Sequence, residues 1–141
     1  MVQASDLEWS SRVGCLEGKR YRILPLCSER KLIAEGIAMR NCIADYVDDC
    51  ASNRVRLFSV RSVATGKRVA DIGILKVDKK VWAMWEVAGK ANTKVDRGIR
   101  ELAHYVAQRY NVSRGDKDTQ LPSWMEELDN QAVTDNEQQA A

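Results

Sequence analysis

The chain predicts an α+β fold: an antiparallel meander of three to four strands packed against two or three helices, with a disordered acidic C-terminal tail. Three observations carry that reading. First, the strand-forming runs 55–61, 69–77 and 81–87 are separated only by Ala64-Thr65-Gly66-Lys67 and Asp78-Lys79-Lys80. Connections that short exclude the crossovers parallel pairing requires. Second, apolar residues recur every three or four positions on both sides of this block, the helical period. Third, the chain after Asn111 is polar, acidic and glutamine-rich, a composition that buries too little to order itself. The expected organisation is a polar segment at 1–19, the α+β domain at 20–112 and the tail at 113–141.

Arg20-Tyr21-Arg22-Ile23-Leu24 alternates and stops at Pro25, as a short edge strand does. Ser28 is placed to cap a helix from Glu29, with that acid in the favourable first turn. Leu32, Gly36, Met39, Ile43, Tyr46 and Cys50 then form a helical stripe. The stripe reads as one helix or as two. Gly36 costs about 1 kcal/mol in a helix interior relative to alanine and suits a C-terminal stop. Asn41 suits the N-cap of a second helix, so the broken version gives both residues a role. Cys42 then opens a helix, where free N–H groups, the dipole and Arg40 favour a thiolate titrating below the ~8.5 of a free cysteine.

Within the sheet, Gly73 marks a bulge or a close backbone approach. Trp82 and Trp85 point to opposite faces, one to the core and one to an exposed position beside Lys79, Lys80 and Lys90, where an indole can stack on a base or grip a partner. Residues 89–92 read as a loop, and Thr93 with Asp96 as a capping-box-like helix start. Val95, Ile99, Leu102, Val106 and Tyr110 form the buried stripe of that last helix. Lys94, Arg97, Arg100, Glu101, His104 and Gln108 face outward. In the tail, Ser123 and Glu126 fit a capping box, and Trp124 and Leu128 are the expected anchors of a short helix that docks or meets a protein partner.

The formal net charge of +2 averages two unlike parts. Residues 1–114 hold 21 Lys and Arg against 13 Asp and Glu, a net of +8, and residues 115–141 carry −6. A basic body with an acidic tail is one signature of nucleic-acid contact, although a solvated surface gives the same totals. No apolar run approaches the ~20 residues of a membrane span, and no secretory pattern opens the chain. A cytoplasmic protein without membrane contact is expected. Cys15, Cys27, Cys42 and Cys50 contain no C-x-x-C pair, so reduced thiols and no metal are expected. Asp45, Asp48 and Asp49 spread over more than one helical face and read as solvated. Gly89-Lys90-Ala91-Asn92 lacks the glycines of a phosphate cradle, and no cofactor is implied.

The segment Glu35-Gly36-Ile37-Ala38-Met39-Arg40-Asn41-Cys42-Ile43-Ala44-Asp45-Tyr46 has the pattern E-G-x-x-M-x-x-C-x-x-x-Y. With the strands after it and the later G-x-x-N at Gly89 to Asn92, it resembles the PcfJ-like family, encoded largely on plasmids, phages and other bacterial mobile elements. The resemblance runs from about Leu24 to about Tyr110 and implies a fold rather than an activity. Such sequences often carry histidine just before the cysteine, where this chain has Asn41, so the nearest acid–base partner is missing. The sole histidine, His104, falls mid-helix on the outward face.

Two functions follow. The first is a non-catalytic binding module contacting nucleic acid or a nucleoprotein partner through Lys90, Lys94, Arg97 and Arg100. The second is a small cysteine-dependent enzyme with Cys42, Tyr46 and Asn92 in a pocket between the Cys42 helix start and the 89–92 loop. A closed polar pocket at those residues favours the enzyme, and a flat basic face favours binding.

Overall fold

The computed structural model describes residues 6–113, 119–123 and 125. Five strands, β1 (Leu16–Glu17), β2 (Tyr21–Pro25), β3 (Val55–Ser62), β4 (Arg68–Asp78) and β5 (Val81–Ala88), form one sheet in sequence order. Every neighbouring pair is antiparallel, as the tight turns after β1, β3 and β4 require. β2 is not an edge strand. It pairs with β3 from Tyr21↔Ser62 to Pro25↔Phe58, and β1 covers its other side. Two residues of β1 are too few to show a period, so the sequence hides this strand.

Strand alternation sorts the side chains onto two faces. Phe58, Val60, Ala70, Ile72, Ile74 and Trp82 lie on one face. There they meet Ile99, Leu102, Ala103, Val106, Ala107 and Tyr110 of helix α3 (Arg97–Val112). Burying such residues fully contributes roughly 1.5–3 kcal/mol each, so this interface outweighs the ~1 kcal/mol of any single cap. The Asn111 amide clamps the end of α3 to β5, accepting from Trp82 N (2.7 Å) and donating to its carbonyl (2.9 Å). Leu57, Val55 and the half-buried Leu75 and Trp85 lie on the opposite face. They pack with Leu32 of α1 (Glu29–Met39), Ile43 of a 3-10 turn (Ile43–Tyr46) and Cys50 of α2 (Val47–Ala51). Trp82 is core and Trp85 half-buried on the other side, as their spacing predicts.

The helix ends differ from the sequence expectation. Helix α1 runs through Gly36 and stops at Arg40, a left-handed residue with φ 54° whose N–H reaches the Gly36 carbonyl. Asn41 N donates to the same carbonyl at 3.1 Å. Gly36 is therefore a place of close approach and not the stop: a Cβ there would lie 3.2 Å from the Asn41 carbonyl oxygen. Helix α3 starts after Asp96, whose carboxylate accepts from Ile99 N at 2.9 Å. Thr93 instead donates to the Lys90 carbonyl and closes the preceding turn.

Short pieces at both ends of the domain join the core. Val13 and Leu16 are buried, and so are Leu121 and Met125 from beyond Asn111. Glu17 N donates to the Thr119 carbonyl, and Leu121 N to the Glu17 carbonyl. Composition underrates this stretch because it contributes only two anchors. The proposed anchors Trp124 and Leu128 lie outside the described residues. Buried Arg56 ties the N-terminal segment to α2 and α3, donating to the Ser10 and Cys50 carbonyls and to the Tyr110 hydroxyl. Among the described residues no helix is long and apolar enough to cross a membrane.

Gly73 lies beside a β-bulge, and what approaches it closely is a side chain and not a backbone. Register shifts beside it: Gly73 pairs with Glu86 but Ile74 with Met84, leaving Trp85 as the extra residue of a β-bulge. The Trp85 ring then lies over Gly73, where a Cβ would come within 2.9 Å of it. Gly73→Ala is expected to cost about 1–3 kcal/mol in urea unfolding. Adding Trp85→Ala should recover part of that loss, and strictly additive effects would show that the ring is not what Gly73 accommodates.

Candidate functional site

The bulge at Trp85 builds a pocket. It turns two successive residues, Trp85 and Glu86, to the face opposite α3, together with Asp71 and Gly73 of β4. Residues 41–46 stand over this patch, and Asn92 closes one side. The cavity, partly open to solvent, is about 160 Å³. Tyr46 meets Trp85 edge to face, with ring centroids 4.8 Å apart and planes at 80°. Partial burial, followed by the negative charges of Glu86, Asp45 and Asp49, raises the Tyr46 hydroxyl above its usual range.

A network of buried carboxyl groups holds the segment over the pocket in place. Asn41 uses both ends of its amide: Oδ1 accepts from Ile43 N at 3.1 Å, and Nδ2 donates to Asp71 Oδ2 at 2.7 Å. Asp71 is 7% exposed, and Glu35 of α1 behind it is 0% exposed. Glu35 Oε1 accepts from Arg68 Nε at 2.7 Å, with Arg61 Nη2 at 3.7 Å. Two oxygens remain, Glu35 Oε2 and Asp71 Oδ1, both buried and without a donor. The two carboxyl groups are within hydrogen-bonding reach of each other, and a proton shared between them gives these oxygens a partner. Burial alone would raise Glu35, but hydrogen bonds from Asp71, Ser59 and Arg68 hold it below the usual range. Asp71 is pushed up to about 9, by burial first and then by its contact with Glu35. The pair thus carries one proton and one negative charge at neutral pH, the charge lying on the side of the arginines.

Cys42, Tyr46 and Asn92 do line this one cavity. Cys42 does not begin a regular helix, however. It precedes a four-residue 3-10 turn, and α2 is only five residues long, so little dipole is aimed at the exposed thiol. His104 is exposed on α3, which packs on the other face. Of the remaining cysteines, burial raises Cys27 and pushes Cys50 up to about 12. Among the described residues no three His, Cys, Asp or Glu side chains are placed to hold a metal ion. Lys90, Lys94, Arg97 and Arg100 are all exposed, from the 3-10 turn Lys90–Asn92 into the first turn of α3. Sequence reading missed the partnership of Glu35, Asp71 and Arg68. The available signal was polar Ser59 and Asp71 inside otherwise apolar strand runs.

The carboxyl pair predicts how stability depends on pH. Unfolded Asp71 releases its proton near the usual ~3.9, whereas the folded protein keeps it to about 9. Between those values the unfolded state binds fewer protons, so stability falls as pH rises, by up to about 1.4 kcal/mol per unit. Glu35, held low, acts oppositely: its contribution is present above the carboxylate range and lost on acidification. Asp71→Asn, which keeps a donor toward Glu35, should flatten the decline between pH 6 and 9 in urea titrations. An equally steep decline in that variant would show that Asp71 is not the proton carrier.

A family model described as PcfJ-like protein matches residues 10–102. No curated protein and no solved structure matches the chain. The matched region contains both segments that carry the resemblance, the carboxyl pair and the whole pocket, and spans most of the sequence. The chain belongs to the PcfJ-like family.

Proposed function

We propose that the domain is a non-catalytic module contacting nucleic acid, or a nucleoprotein partner, through Lys90, Lys94, Arg97 and Arg100. The observation that carries this reading is the exposure of all four cations along one stretch from the 90–92 turn to the start of α3. The net of +8 over residues 1–114 favours the same partner. Asp96 already takes the Ile99 N–H, so phosphate contact comes from the side chains more than from the helix start. Association with a plasmid, phage or other mobile element, and a cytoplasmic location, belong to the same proposal.

A second reading, a small cysteine-dependent enzyme, is favoured by the meeting of Cys42, Tyr46 and Asn92 at one cavity. It lacks a histidine base, since the sole histidine is on α3, and Asp71 holds its proton at neutral pH. Binding therefore has the stronger support.

Each phosphate neutralised on a duplex contributes about 0.9 to the log–log salt slope, so four contacts give a slope of about −3 to −4. Arg97→Glu with Arg100→Glu should remove most of it without unfolding the protein. The acids Glu126, Glu127, Asp129, Asp135 and Glu137 should compete with nucleic acid, most at low salt. Changing them to amides tests this better than cutting at 115, since Leu121 and Met125 are core residues. No salt-sensitive affinity for DNA or RNA in the amide variant would refute the nucleic-acid reading.

A further inference from the structure

The pocket is opposite in chemistry to the basic row beside it. Two of its lining residues are carboxylic acids, Asp71 and Glu86, and none is lysine or arginine. Two half-buried rings, Tyr46 and Trp85, stand in the same cavity. The bulge turns Trp85 and Glu86 to one face, so a carboxylate and an indole are presented side by side. Asn41 and Asn92 add amide groups at the rim.

These walls discriminate between ligand charges. A phosphate would meet Glu86 without a lining cation to offset it. A neutral guest would leave Glu86 unused. An organic cation gains from an aromatic wall and from the carboxylate together. Asp71 is not the counter-charge, because its proton is shared with Glu35, whose own charge Arg68 and Arg61 offset from behind. Glu86 supplies the negative charge. A cavity of about 160 Å³ is smaller than the ~300 Å³ at which ordinary small-molecule sites begin, and suits one terminal group of a larger molecule.

We propose that the pocket between residues 41–46 and the β5 bulge binds an alkylammonium or guanidinium group, held against Trp85 and Tyr46 and paired with Glu86. This does not rest on nucleic-acid binding by the basic row. The cationic group has two natural sources, a lysine or arginine side chain of a protein and a free polyamine.

The test is a ¹H–¹⁵N NMR titration of the full chain with n-butylammonium and methylguanidinium, each against a neutral isostere, n-butanol or N-methylurea. The cations should shift the Trp85 indole and the Asn41 and Asn92 side-chain amides saturably, and the neutral isosteres at least about tenfold more weakly. Glu86→Gln should weaken the cations about tenfold, the loss expected of one charge-assisted hydrogen bond. Tighter binding of a lysine- or arginine-containing peptide than of spermidine assigns the group to a protein, and the reverse order assigns it to a polyamine. Equal shifts from the neutral isosteres, unchanged cation binding in Glu86→Gln, or the same shifts from inorganic phosphate would overturn the proposal. Loss of cation binding with salt-dependent nucleic-acid affinity intact would overturn it alone.

Discussion

The proton shared by Glu35 and Asp71 is the constraint on which the pocket depends. Glu35 lies on α1, Asp71 on β4, and neither is in contact with bulk water to any useful extent. Two carboxylates side by side in such a place would repel strongly, and one unpaired buried charge costs about 3–5 kcal/mol. With one proton between them and two arginines on Glu35, the group becomes a clasp that joins helix to sheet. Asn41 extends the clasp from Asp71 to Ile43 N, which sets the chain over the cavity. The glutamate that opens the family-pattern segment thus acts from behind the pocket.

Much of the fold was legible because it depends on local period. The strands of the meander and the stripe of α3 follow from alternation and 3.6-residue spacing, and the structure keeps both. Helix ends were less legible, because they depend on which capping partner wins. Asp96 prevailed over Thr93, and Arg40 took the left-handed turn that Gly36 was expected to supply. Pieces too short for a period, such as β1 and the anchors Leu121 and Met125, carry no such signal. The pocket was partly legible: Cys42, Tyr46 and Asn92 converge as the two segments suggested. Glu35 and Asp71 were not, since they are far apart in sequence and pairing across that distance follows only from the register of α1 on β4.

Two surfaces of opposite sign meet at the turn 89–92. Its backbone is held in an unusual form, with Ala91 at φ 56° and Asn92 at φ 61°. Left-handed residues of this kind cost roughly 1–2 kcal/mol each, so the surroundings must impose them. Gly89 N donates to the Thr93 carbonyl at 2.7 Å, and a Cβ on Gly89 would lie 2.7 Å from Thr93 Oγ1. The turn is thereby closed tightly enough to aim Asn92 at the pocket while Lys90 and Lys94 stay in solvent. A module built this way presents a basic edge and an acidic, aromatic recess within one short segment.

The central claim is that one proton bridges the buried pair. Carboxyl ¹³C NMR of the folded protein, followed from pH 4 to 10, reads each side chain directly. Asp71 is expected to keep its protonated shift through pH 7 and to titrate only near 9, while Glu35 ionises below the usual carboxylate range. Ionisation of Asp71 near the ordinary ~3.9, with no inflection at higher pH, would contradict it.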